Sequence, residues 1–159
     1  MKITIRTRIV RLLLSALTLM LIIGSARQQG YGQEQQRRVV NLAPARGLPF
    51  SDGIVAGNTL YIAGQEGTDD SGRLPAGGIG PETTAALENI QKVLKAAGFE
   101  LKDVVSVTVY LADIHEFGDM NKIYKTVMPD PKPVRATVQV AALVNNARIE
   151  ISAIAAKQK

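Results

Sequence analysis

Arg135 and Glu150 are the residues whose type and setting could do chemistry. Arg135 lies in Pro133-Val134-Arg135-Ala136-Thr137-Val138-Gln139-Val140 and Glu150 in Arg148-Ile149-Glu150-Ile151-Ser152-Ala153-Ile154. Polar and apolar residues alternate in both, which marks them as strands. In the first, Arg135, Thr137 and Gln139 share a face. In the second, Ile149, Ile151 and Ala153 share one, leaving Arg148, Glu150 and Ser152 opposite. A charge set among apolar neighbours needs a partner or a ligand, because burying it alone is costly. Two readings follow: an Arg135–Glu150 ion pair on a solvated sheet face, or a site for a small carboxylate gripped by the flat, two-pronged guanidinium. With one histidine and no cysteine, nucleophilic triads and transition-metal sites are poorly supported. The histidine, His115, falls at an apparent helix start and is read as solvated.

The elements that must position this pair are legible in order. Val39–Leu42 reads as a short edge strand. Gly53–Ala56 and Thr59–Ala63 are strands joined at Gly57-Asn58, a two-residue hairpin signal. Gly64–Gly80 reads as a long loop with six glycines; loops of that length are usually functional or mobile. It lacks the Gly-Lys-Ser/Thr ending of a phosphate-binding loop. Pro81 opens a helix that Gly98 stops, with Ala86, Leu87, Ile90, Val93, Leu94 and Ala97 on one apolar face. Val104–Leu111 is a β-branched strand suited to the middle of a sheet. Asp113–Met128 is a second helix, with Asp113 and Glu116 in a capping pattern and Phe117, Met120, Tyr124 and Val127 as its core stripe. Strand–helix–strand order implies a partly parallel sheet with both helices on one face. Two helices cannot cover both faces, so the other face is expected to be buried against copies of the same chain.

The ends and the charge set further bounds. Residues 1–26 carry Lys2, Arg6, Arg8 and Arg11, then the apolar run Leu12–Gly24, then small residues ending at Ala26. That is the layout of a cleavable signal peptide, too short for an ordinary membrane span; the alternative is an uncleaved anchor. Residues 27–38 (RQQGYGQEQQRR) read as a flexible linker, and 39–159 as one domain. The net charge of +5 belongs mostly to the leader: cleavage after Ala26 leaves 15 basic and 14 acidic residues, or +1. The basic isoelectric point is therefore no argument for nucleic-acid binding. The mature domain is expected to be periplasmic or secreted, with no membrane contact after cleavage.

The residues also resemble a known family. They are Asn41 with Pro49-Phe50-Ser51, Gly57 through Gln65, Leu87-Glu88-Asn89 with Ala96-Ala97-Gly98, Val107 through Leu111, Pro133 through Thr137, and Ile149 through Ala155. From about Val39 to Ala156 the chain is similar to the RidA/YjgF family, the reactive-intermediate (enamine/imine) deaminases. The resemblance implies an α+β, chorismate-mutase-like mixed sheet with two helices on one face, a homotrimer, and clefts between subunits. It implies hydrolysis of 2-imino acids to 2-oxo acids and ammonia without metal or organic cofactor. By position, Arg135 corresponds to the arginine that clamps the substrate carboxylate, Glu150 to the glutamate that positions the attacking water, and Asn121 to a cleft asparagine. The backbone at Gly64 and Gln65 corresponds to cleft lining. Three positions depart from the family pattern: Phe50 replaces a tyrosine, Ala63 a serine and Thr137 a cysteine. The carboxylate clamp survives these changes, while two polar groups near it are lost.

The chemistry implied is undemanding, because a protonated imine is already an electrophile. Arg135 would orient it, and a water held by Glu150 would attack. The expected function is an imine deaminase; the alternative is a non-catalytic binder of small carboxylates on the same fold. A chaperone or nuclease role is a third reading, and the near-neutral mature charge argues against the nuclease.

Overall fold

The computed structural model describes residues 37–42 and 49–158. The expected leader (1–26) and most of the expected linker (27–38) lie outside them.

Among the described residues, six strands form one sheet. They are β1 (Arg37–Val40), β2 (Gly53–Ala56), β3 (Thr59–Glu66), β4 (Val104–Leu111), β5 (Val134–Gln139) and β6 (Ile149–Ala156). Their spatial order is β1-β2-β3-β6-β4-β5. All neighbours run antiparallel except β4 and β5. Helix α1 (Ile79–Ala97) connects β3 to β4, and α2 (Phe117–Val127) connects β4 to β5. The α1 crossover leaves a gap between two mutually parallel strands, which the C-terminal strand β6 fills. The expected mixed sheet with two helices is thus the observed one.

The helices cover one face. Leu60, Ile62, Ala86, Leu87, Ile90, Val107, Val109, Leu111, Met120, Ile149 and Ile151 form a buried core between them and the sheet. β6 shows the alternation plainly, with Ile149, Ile151, Ala153 and Ala155 buried and their neighbours half-buried. The opposite face leaves Ile54, Tyr61 and Val138 exposed.

Several boundaries differ from expectation, each for a local reason. β1 begins two residues early, at Arg37, because its pairing with β2 runs the full length of that strand. β3 continues through Gly64 and Gln65 to Glu66 by pairing with β6 across a bulge after Ile62, so the glycine-rich loop is shorter than it reads. α1 starts at Ile79, where Gly78 (φ 83°) turns the chain in and Ile79 is buried. Pro81 sits in its first turn, where a missing N–H costs nothing. Gly98 ends the helix in the left-handed conformation (φ 81°), its N–H donating to Lys95 O at 3.0 Å and the Phe99 N–H to Leu94 O at 2.8 Å. Before α2, Asp113 caps a short 3-10 turn by accepting from the His115 backbone N–H at 2.9 Å. Glu116 does not complete the expected capping pair; it accepts from Arg148 Nη1 at 2.6 Å instead.

Candidate functional site

β5 presents Arg135 to the helices. It pairs in parallel with Val107 of β4, whose side chain is buried under the helical layer. Residues paired across a sheet share a face, so Arg135 points toward α2 at the sheet edge. There Phe117, Asn121 and Tyr124, spaced i, i+4 and i+7 on α2, meet it. Arg135 Nη2 donates to Asn121 Oδ1 at 2.9 Å. Its guanidinium carbon lies 4.4 Å from the centre of the Tyr124 ring and 5.6 Å from that of Phe117. Two cation–π contacts and a hydrogen bond fix the plane of the fork, while Asn121 takes only one of its five N–H donors.

Polar atoms around this guanidinium remain unspent. Thr137, two residues on along the same face, has a buried hydroxyl with no hydrogen-bond partner among the described residues, and so does Tyr124. Burial pushes the Tyr124 hydroxyl above its ordinary value of 10.0, against the opposing pull of the Arg135 charge. A buried donor without a partner is costly and is satisfied when a ligand oxygen arrives.

Glu150 lies elsewhere. It pairs with Tyr110 of β4 and with Glu66 of β3, on the face away from the helices. β4 separates β5 from β6. Val107 and Tyr110, the β4 partners of Arg135 and Glu150, point to opposite faces because three residues apart in a strand reverses direction. The Arg135–Glu150 ion pair read from the sequence therefore does not form within one chain. Arg148, read with Glu150, instead turns to the helices: its backbone N–H donates to Glu82 Oε2 at 2.8 Å and its guanidinium pairs with Glu116 and Glu82.

Beside Glu150 the chain keeps space. A Cβ on Gly64 would overlap the Glu150 carboxylate, so only glycine leaves that side chain where it lies. Gly64 and Ala63 occupy the β3 bulge, and the Ala63 N–H donates to Asp52 O at 3.0 Å. Gln65 pairs with buried Ile151 and so faces the helices. Its side chain donates to Ala63 O at 3.3 Å and borders a cavity of about 670 Å³ with Asp52, Asn89 and Lys92, which includes neither Arg135 nor Glu150. Phe50 is exposed on the loop before β2, with three strands between β2 and β5. The structure thus joins Arg135, Asn121 and Thr137 on one face, and Glu150 with Gly64 on the other.

Two groups escaped the sequence reading. Tyr124 is buried in the core as its place in the apolar stripe implies and also carries Arg135 over its ring, whereas Phe117 of the same stripe is exposed and flanks that guanidinium. Glu66 falls in the stretch that reads as loop; its place in β3 comes from pairing with β6, which no local pattern in the sequence carries.

The family model described as Endoribonuclease L-PSP matches residues 40–157. This chain belongs to that family, the RidA/YjgF family. The human protein named 2-iminobutanoate/2-iminopropanoate deaminase is 46% identical over 122 residues, which span 75% of this chain and 89% of the human one. A RutC family protein of Pyrococcus horikoshii is 45% identical over 111 residues, 69% of this chain and 88% of that one. Among solved structures, RidA from the Antarctic bacterium Psychrobacter is 35% identical with a TM-score of 0.70, over 76% of this chain and 99% of that chain. Escherichia coli TdcF, solved with bound serine, is 28% identical with a TM-score of 0.70, over 76% and 99%. The described sheet and helices are the RidA/YjgF fold.

Proposed function

We infer that this protein is a hydrolytic deaminase that converts 2-imino or enamine acids to 2-oxo acids and ammonia. The observation that carries this reading is the Arg135 guanidinium, held flat by Tyr124 and Asn121 with donors to spare. It sits in a chain 46% identical to a deaminase of that name. A fork so fixed is matched to the carboxylate of an imino acid, and holding the substrate in one pose supplies much of the barrier reduction. The serine in TdcF is a carboxylate of the expected size.

The reaction would run in two steps. Water gives a proton to the Glu150 carboxylate as its oxygen bonds to the iminium carbon, forming a carbinolamine. Its nitrogen then takes that proton back from the Glu150 carboxyl, the C–N bond breaks with its electron pair on nitrogen, and the hydroxyl proton passes to the regenerated carboxylate as the C=O bond forms, to leave with the ammonia as ammonium. Ammonia departs and the 2-oxo acid remains. Nothing in these steps calls for a strong nucleophile, which fits the residues present.

Because Arg135 and Glu150 occupy opposite faces of one sheet, the site is read as composite: Arg135 of one copy meets Glu150 of the next. A ring of copies does this with a single repeated contact, and a homotrimer is the ring proposed. The exposed Ile54, Tyr61 and Val138 on the open face support burial against such copies. Residues 1–26 are proposed as a cleaved signal peptide, placing the mature protein in the periplasm or outside the cell. N-terminal sequencing of the protein from its native host tests this, and a mature start at Met1 overturns it.

Activity is tested by generating 2-iminobutanoate in situ with an amino-acid oxidase and following its loss with and without the purified domain. Faster loss is expected. No acceleration, together with retained binding of 2-oxobutanoate, would identify a carboxylate-binding module instead.

A further inference from the structure

We propose that Glu66 is a specificity-determining residue, and that this deaminase prefers 2-imino acids whose side chain carries a cation. The proposal rests on the deaminase reading above and names the substrate class of that site.

The extension of β3 past its bulge places Glu66 directly opposite Glu150. Side chains opposed in this way start about 5 Å apart and share a face. Glu66 therefore stands on the open face, beside the carboxylate proposed to hold the attacking water. Gly64, two residues earlier on β3, contributes no side chain, and the Glu150 carboxylate lies over it in the space a Cβ would take. The Glu66 carboxylate is also fixed in direction. Its Oε2 accepts from Asn145 Nδ2 at 3.0 Å, and Asn145 is held in the left-handed conformation (φ 57°) in the turn before β6.

Asn145 is neutral, so it orients Glu66 without balancing its charge. Among the described residues Glu66 forms no ion pair, whereas Glu82, the next acid to influence it, is paired with Arg148. Two carboxylates directly opposite on a sheet destabilise it. Partial burial first, and the Glu150 charge as well, raise the Glu66 carboxyl above its ordinary 4.5 against the Asn145 hydrogen bond. These two acids are an expense to the fold that a bound cation relieves.

A charge count then selects the ligand. In the composite cleft Arg135 contributes one positive charge, and Glu150 and Glu66 one negative charge each. A simple imino acid brings a carboxylate and an iminium, which cancel. The occupied cleft keeps one negative charge, located at Glu66. A substrate with a guanidinium or ammonium on its side chain removes that excess and gains a charge-assisted hydrogen bond. Short apolar imino acids, such as those in the names of the relatives, leave it in place.

The test compares kcat/KM for the 2-imino acid derived from arginine with that for 2-iminobutanoate, in the wild-type protein and Glu66→Gln. Each imine is generated in situ by an amino-acid oxidase. The wild type is expected to favour the arginine-derived imine by about tenfold or more. Glu66→Gln is expected to lose most of that ratio, mainly through KM for the cationic substrate. An equal ratio in the two proteins, or a wild type that favours 2-iminobutanoate, overturns the proposal. If the wild type consumes neither imine, the deaminase reading fails. Calorimetric binding of the arginine-derived 2-oxo acid and of 2-oxobutanoate then tests Glu66 separately: a cationic preference lost in Glu66→Gln supports it, and equal preference in both proteins refutes it.

Discussion

Two inactive variants of this protein are expected to restore activity when they assemble together. Arg135→Ala removes the guanidinium proposed to grip the carboxylate, while Glu150→Gln removes the proposed base. Loss of two charge-assisted hydrogen bonds costs about 3 kcal/mol or more, so Arg135→Ala retains roughly 1% of wild-type kcat/KM or less. Within one chain the two residues face opposite sides of the sheet, with β4 between their strands. In the proposed closed ring each site would take Arg135 from one copy and Glu150 from its neighbour. When the variants mix at random in equal amounts, half the copies offer an intact arginine and half an intact glutamate. About one quarter of the sites then combine both, whatever the number of subunits in the ring. Co-expression with two different tags, double purification and the in-situ imine assay measure this. Because double purification excludes rings of one variant only, recovery in that fraction exceeds one quarter, reaching about one third for a trimer. Recovery no greater than the sum of the separate variants would refute the composite site, and with it the roles given to the two residues.

Other expectations follow from the same geometry. Tyr124→Leu, which removes the ring at 4.4 Å from the guanidinium, should raise KM about tenfold; Tyr124→Phe keeps the ring and should recover most of that loss, and equal effects of both variants would show that the ring does not position Arg135. Gly64→Ala should displace the Glu150 carboxylate and lower kcat while the far-ultraviolet circular dichroism stays native, since the overlapped group is the end of a flexible side chain; wild-type kcat would contradict this. Glu66 has a raised folded-state pKa, so its protonated form favours folding and that contribution is lost as pH rises from about 4.5 through the folded value. Glu66→Gln should therefore melt higher than the wild type at pH 7, with the difference shrinking below about pH 4; a variant that melts lower at pH 7 would count against the carboxylate repulsion.

Much of this arrangement is legible from residue order. Alternation in Pro133–Val140 and Arg148–Ile154 marked both strands and put Arg135 and Thr137 on one side, because a strand reverses its side chains at every residue. The apolar spacing of α1 and the glycine after it marked the helix and its stop, since both are local consequences of helical geometry. The residues that matched RidA/YjgF pointed to the fold that the structure shows. What alternation cannot supply is which strands are neighbours. The period-two pattern says that each strand has two faces, but not which of them meets the helices.

Tertiary structure decided that question. β6 inserts between β3 and β4, so β4 stands between Arg135 and Glu150 and turns them to opposite faces. The same insertion extends β3 and brings Glu66 opposite Glu150, far apart in sequence and adjacent only through register. Phe117 and Tyr124 became a platform for Arg135 only when α2 docked beside β5. Local chemistry in the sequence determined the elements and their faces; which charges meet depends on pairings between distant segments, which the packed sheet alone sets.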